Sequence, residues 1–383
     1  VYDGIRDYSQ EDKMSALVLK SINKIYHGGH RAIRELNLEI GEKEFLVLSG
    51  PDGCGKSTLL RIIAGLEEAD TGMVFMDGEN VTEADTKDRG VAMLFGNSIL
   101  YPEMSVHDNL VFALRMAKLS QTEIAARVKE TAELLELEPI LGKMPDMLSG
   151  PEIFRALLGR AVIRRPSVFL LDVTASYKEP ELLSCVGREL GRLHERMGIT
   201  MICAVGGREA LELPASRLVI MNDGVVCQDG MPKELYEKPS SRFVAEFFGC
   251  PPMNIVPAVV FGEDNCVGLS FEGGRLMLPD EKGRKIAKGG YFGKEVLMGI
   301  RPKGVHAAGE AMSKEALGGV AAGLEGVENR DGECLLHFHI GEADCTASAD
   351  KVLQSEVGKT LIFEIDAAEV HVFDKTTEKT VTN

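Results

Sequence analysis

The run Gly50-Pro-Asp-Gly-Cys-Gly-Lys-Ser-Thr58 constrains this chain more than any other stretch. It fits the pattern G-x-x-x-x-G-K-[ST], follows the apolar segment Phe45-Leu-Val-Leu48 and opens a helical pattern near Lys56. A strand, a glycine-rich turn and a helix in that order make a phosphate cradle. The glycines let successive backbone N–H groups curl round phosphate oxygens, and the helix N-terminus adds the positive end of its dipole. Gly50, Pro51, Asp52, Gly53, Cys54, Gly55, Lys56, Ser57 and Thr58 are therefore candidate binding residues for a nucleoside triphosphate, with ATP the expected one. Lys56 is placed to reach the terminal phosphates and Ser57 to ligate Mg²⁺. Asp52 sets a like charge on the same loop, which weakens phosphate affinity without abolishing binding.

Around this loop the sequence alternates short β-branched runs with longer helical stretches from Met14 to Tyr236, the pattern of an α/β domain with a largely parallel sheet. Phe45–Leu48, Val168–Leu171, Met201–Val205 and Leu218–Met221 are its buried-strand candidates. Between Ser120 and Leu137 the spacing of Ile124, Val128, Ala132 and Leu135 predicts an amphipathic helix, part of a helical insert over about Asn97–Met147. Proline, serine and aromatic residues then mark residues 237–254 as a linker. Beyond it, runs such as Val296–Ile300, Cys334–Phe338 and Thr360–Ile365, separated by glycine and charged turns, predict a small antiparallel barrel over 255–383.

Composition narrows the function classes. With 43 Lys and Arg against 59 Asp and Glu, the formal charge of −16 repels nucleic acid, so no nucleic-acid partner is expected. No apolar run approaches the roughly eighteen residues that a membrane-spanning helix needs. The polar, acidic start, Val1–Lys13, lacks the basic-then-apolar pattern of a secretory signal, which points to the cytoplasm; Met14 would serve as a natural start with residues 1–13 an extension. The eight cysteines show no CxxC and read as reduced thiols. Cys54, on the P-loop, leaves a reactive thiol and ordinary packing as alternatives, and His337 and His339, alternating on one presumed strand face, are read as surface residues rather than a metal site. Asp264 and Glu272 show no pairing.

Hydrolysis needs more than a cradle. Asp172, at the end of the buried run Val168–Leu171, supplies the aspartate that holds Mg²⁺ directly or through water. The next residue is Val173, which cannot accept a proton from an attacking water.

Taken with Tyr26, Leu100-Tyr-Pro-Glu-Met-Ser-Val106, Leu148-Ser-Gly150, Leu158-Gly-Arg-Ala161 and Phe169-Leu-Leu-Asp172, these features make the chain resemble the ATP-binding subunit of an ABC transporter. The resemblance is to the carbohydrate-importer type, maltose and glycerol-phosphate systems included. It covers nearly the whole length, since Phe247–Asn254 and Gly299-Ile-Arg-Pro302 are similar to that subfamily's extra C-terminal domain. The resemblance implies a P-loop NTPase domain of ABC type over 14–236, then an all-β OB-like (TOBE-type) regulatory barrel. It implies Tyr26 stacked on adenine and Ser149 and Gly150 on a signature loop. Its partners would be a second ABC ATP-binding subunit, as homodimer or heterodimer paired head to tail, and transmembrane permease subunits received near Leu100–Val106. That would hold the chain peripherally on the inner face of the cell membrane.

The hydrolytic motifs of this family are altered. Gly96 stands where the family has a glutamine, Val173 where it has the catalytic glutamate, Gly206 where it has the switch histidine, and Tyr177-Lys-Glu179 where it has Asn-Leu-Asp. The signature reads Leu148-Ser-Gly-Pro-Glu152; Pro151 is tolerated in a helix's first turn but removes an N–H, and Glu152 adds negative charge where a phosphate should sit. Damage of both kinds lies on one chain, so a pair with one intact site is not the simple expectation. Two functions stay open: an energy-coupling importer subunit that hydrolyses ATP poorly or not at all, and a nonhydrolytic nucleotide-dependent regulatory or assembly protein.

Overall fold

The structure is a computed structural model describing residues 15–116, 119–173, 180–207, 210, 213–249, 251–263, 266–307, 317–330, 333–349 and 356–383. The proposed extension 1–13, the segment Tyr177–Glu179, Cys250 and Asp264 lie outside them. The chain divides into two compact units, Val1–Pro232 and Lys233–Asn383.

In the first unit the order is β1 (Ser15–Ile25), β2 (Arg31–Gly41), β3 (Phe45–Ser49), α1 (Lys56–Ala64), β4 (Thr71–Met76), β5 (Glu79–Asn80) and β6 (Val91–Phe95). Then come α2 (Val106–Met116), α3 (Gln121–Leu135), α4 (Gly150–Val162), β7 (Val168–Asp172), α5 (Pro180–Met197), β8 (Thr200–Ala204), β9 (Arg217–Asn222) and β10 (Val225–Gly230). A six-stranded sheet runs β10-β9-β3-β8-β7-β6, with β9, β3, β8, β7 and β6 parallel and β10 antiparallel at the edge. A four-stranded antiparallel sheet, β2-β1-β4-β5, accompanies it. Every residue of β3, β7 and β8 is buried, which is why these strands read as continuous apolar runs rather than alternating ones. All four strand expectations fall on observed strands, and the helix expected from Ser120 is α3. Ser120 is its N-cap, its side chain accepting from the Glu123 N–H.

The second unit contains α6 from Lys233 onward (the helix is Pro232–Glu237), α7 (Arg242–Phe247) and α8 (Asp280–Lys288). Its strands are β11 (Asn254–Glu263), β12 (Cys266–Phe271), β13 (Gly274–Met277), β14 (Glu295–Ile300), β15 (Val305–Ala307), β16 (Leu317–Gly323), β17 (Gly326–Arg330), β18 (Glu333–Ile340), β19 (Ala343–Ala349), β20 (Thr360–Asp366) and β21 (Val370–Asp374). They form three antiparallel sheets, β13-β12-β11-β14-β21, β15-β20-β16 and β17-β18-β19. One apolar core joins all three, with Phe338 and Phe363 stacked at 3.8 Å.

Residues 237–254, read from composition as a linker, carry α7. Ser241 caps it by accepting from the Val244 N–H, and Phe243 stacks on Phe247. Arg301 of the Gly299–Pro302 stretch donates to the carbonyls of Ala245 and Tyr236 at 2.9 and 3.0 Å and lies 4.1 Å from the Tyr236 ring centre. A cation at the last carbonyls of two short helices is favoured by their dipoles. Asn254 closes the segment: its buried amide exchanges two 2.8 Å hydrogen bonds with the Thr346 backbone on β19.

Candidate nucleotide site

The P-loop leaves the C-terminal end of β3 and enters α1, as expected for the motif. Two glycines are fixed by contact. A Cβ at Gly50 would lie 2.2 Å from the Met221 carbonyl oxygen, and one at Gly55, where φ is +108°, would lie 2.3 Å from that of Ala32. No side chain fits either place, so the loop is pressed onto β9 and β2 and its turn is set. Lys56 is buried, its ammonium donating to the carbonyls of Gly50 at 2.7 Å and Pro51 at 2.9 Å, so it already spans the loop that holds the phosphates. Arg89 anchors the far end of α1, donating to Ile62 and Ile63 at 2.8 and 3.1 Å; burial lowers its affinity for the proton.

A cleft beside the loop is lined by Tyr26, His30, Asp52, Gly53, Lys56 and Thr58, among others. Tyr26 follows β1, and a tight turn through Gly28 and Gly29 brings its N–H to the His30 carbonyl at 2.8 Å. Its hydroxyl lies 3.4 Å from that of Thr58, so the ring stands at the start of α1 where a base can stack. His30 was not singled out from the sequence; no motif names it, and only the turn geometry brings it to the cleft. Cys54 is buried, and burial pushes its thiol up, the neighbouring Lys56 offsetting this in part, which fits the packing role.

The strand register gathers the other motif positions. Phe95 pairs with Asp172 and Asp172 with Ala204, while Leu48 pairs with Ala204. Gly50, Gly96, Val173 and Gly206 therefore all follow the C-terminal ends of the adjacent parallel strands β3, β6, β7 and β8, the edge at which open α/β sheets bind ligands. Asp172 is buried at that edge. Val173 is buried beside it, its N–H donating to the Ala204 carbonyl at 2.9 Å. Gly96 and Gly206 present no side chain at all.

Ser149 and Gly150 stand elsewhere, at the N-terminus of α4, and neither lines the P-loop cleft. Ser149 and Glu152 form a capping box. The Glu152 carboxylate accepts from the Ser149 N–H at 2.7 Å and its hydroxyl at 2.8 Å, and pairs with Lys143 at 3.2 Å. Ser149's two hydrogen bonds, then Lys143, hold the Glu152 carboxyl down to about 2. Sequence reading placed a negative charge here; the structure shows it folded back onto the serine.

The Leu100–Val106 stretch is braced from inside. The fully buried Asn109 amide accepts from the Tyr101 N–H at 2.8 Å and donates to the carbonyls of Tyr101, Met104 and Ser105. Tyr101 packs edge-on against Phe112 with the Arg160 guanidinium 5.0 Å away, and Ile99, Met116 and Met147 are exposed. His337 and His339 are indeed on the surface, His337 facing Glu328 and His339 held between Glu325 and Asp344, pairs that raise the His339 pKa. Among the described residues, no cluster of three or more His, Cys, Asp or Glu side chains is arranged to hold a metal by itself. Mg²⁺ at a P-loop takes one or two protein ligands plus phosphate and water, so Ser57 and Asp172 suit it.

Known proteins resemble the chain throughout. The ABC transporter family model matches residues 33–176, and the MalK OB fold domain model matches 249–303. The sn-glycerol-3-phosphate import ATP-binding protein UgpC of Escherichia coli O1:K1 / APEC is 38% identical over 370 residues, covering 96% of this chain and 100% of the relative. The trehalose/maltose import ATP-binding protein MalK of Thermococcus litoralis is 37% identical over 377 residues, with the same coverage. Among solved structures, cbiO1 from Clostridium perfringens, part of the ABC transporter complex cbiONQ, shares the fold at a TM-score of 0.54 and 23% identity, over 58% of this chain and 91% of its own. The chain belongs to the ABC transporter family, among the ATP-binding subunits of carbohydrate-importer type that carry a MalK-type OB domain.

Proposed function

We infer that this chain is an ATP-binding subunit of a carbohydrate-type ABC importer that binds ATP with Mg²⁺ and turns it over very slowly or not at all. The observation carrying this is the shared strand edge: a complete P-loop and Asp172 stand at the same C-terminal edge of the parallel sheet as three positions that offer no base, amide or imidazole. The P-loop backbone and Lys56 bind and orient the phosphates, and Tyr26 takes the adenine. Bound Mg²⁺, held through Ser57 and Asp172, would neutralise phosphate charge. Nothing at Val173 receives the proton of an attacking water. Loss of a general base costs roughly 10² to 10⁴ in rate, and loss of an oriented donor about as much; the factors belong to one unit and do not multiply.

The subunit pairs head to tail with a copy of itself or with another ABC ATP-binding subunit, and Asn109 holds the Tyr101 surface for a permease at the cytoplasmic membrane face. Chemistry lost at three positions, with a signature serine already engaged, also favours the regulatory or assembly role, in which nucleotide is read rather than consumed. Val173→Glu separates the two. Turnover rising at least about 10²-fold assigns the defect mainly to one position and favours an importer subunit; an unchanged rate favours the compound loss of a nonhydrolytic module.

A further inference from the structure

The α4 N-terminus differs from a merely weakened phosphate contact. Ser149 has one hydroxyl proton, and it goes to Glu152 at 2.8 Å; its N–H goes to the same oxygen at 2.7 Å. The capping box also has the serine oxygen accept from the backbone of Glu152. Pro151 contributes no N–H. What Ser149 has left to turn outward is a lone pair, which repels an anion. Lys143, the nearby cation, is held by the same carboxylate.

The geometry points to Glu152 as a resident competitor for phosphate: an internal carboxylate occupies the signature serine, so this face of the subunit rejects a nucleoside triphosphate on a neighbouring subunit and tolerates a diphosphate. This rests on the head-to-tail pairing proposed above. The discrimination is set by like charge and by loss of the serine's donors, both of which act on the terminal phosphate and neither on the base or ribose. ATP therefore gives no association that ADP does not.

The test is self-association of the full chain by sedimentation, with Mg²⁺ and saturating ATP or ADP, bound nucleotide being measured in the same samples. Wild type should associate equally with either nucleotide, whereas Glu152→Gln, alone or with Pro151→Gly, should associate about tenfold or more tightly with ATP than with ADP. Ser149→Ala placed in the Glu152→Gln background should remove the gain, a dependence on the serine that loss of the charge at position 152 alone does not produce. Wild type associating much more tightly with ATP, or variants that gain nothing while nucleotide is bound, would overturn the inference. Samples without bound nucleotide would instead overturn the proposed function, and this inference with it.

Discussion

Lys56 and Val173 act at opposite ends of one chemical sequence, binding and proton removal, and substitutions separate them. Lys56→Ala removes the charge that spans Gly50 and Pro51 and should weaken ATP binding by about 10² or more, as expected for a buried charge-assisted contact to phosphate. Calorimetric titration measures it. The P-loop, Asp172 and the missing base at Val173 were legible from their place beside a strand, whereas Gly96 and Gly206 were legible only through the family resemblance. The direction in which Glu152 points was not, since a carboxylate at the third helical position serves as a cap or as a free charge depending on local packing. His371 was equally hidden. Buried on β21 and hydrogen-bonded to Asn383, it has its pKa lowered to about 4, chiefly by burial. A histidine neutral in the folded state binds fewer protons than its unfolded counterpart between pH 6.5 and about 4, so its contribution is intact above pH 6.5 and is lost on acidification through that window. The loss amounts to about 3 kcal/mol at most. Urea unfolding at pH 7 and pH 4.5 should show a smaller pH difference for His371→Gln than for wild type.

At the level of elements, buried polar side chains fasten segments that composition describes poorly. The strands of the parallel sheet were readable because their burial on both faces writes itself as unbroken apolar runs. α7 was not, because Pro239, Ser240 and Ser241 look like a junction, and the helix depends on Arg301, more than fifty residues later. Arg301→Met should leave the Ala245 and Tyr236 carbonyls without their donor and cost about 2–4 kcal/mol of unfolding stability, read as a lower urea midpoint. Asn109→Ala should free the Leu100–Val106 backbone at a cost of about 2 kcal/mol, and proteolysis should report faster cleavage there.

Across the whole molecule, the two units divide the legibility as well as the chain. The first was visible through motifs that bind ligand, and those motifs have fixed partners in sequence. The second was visible as short strands and glycine turns and through two short stretches, Phe247–Asn254 and Gly299–Pro302; its order of pairing, with β21 returning beside β14, depends on contacts far apart in the chain. The formal charge is −16, and no described helix is long and apolar enough to cross a membrane; the permease contact proposed above would supply a membrane anchorage. The central claim, nucleotide held without turnover, is tested most directly by measuring ATP binding and ATP hydrolysis on the same purified chain with Mg²⁺, beside Lys56→Ala. The account predicts binding that Lys56→Ala weakens by about 10² or more and a hydrolysis rate no higher than that of the variant. A clear rate that depends on Lys56 would contradict it, and would mean that another group takes the proton Val173 cannot.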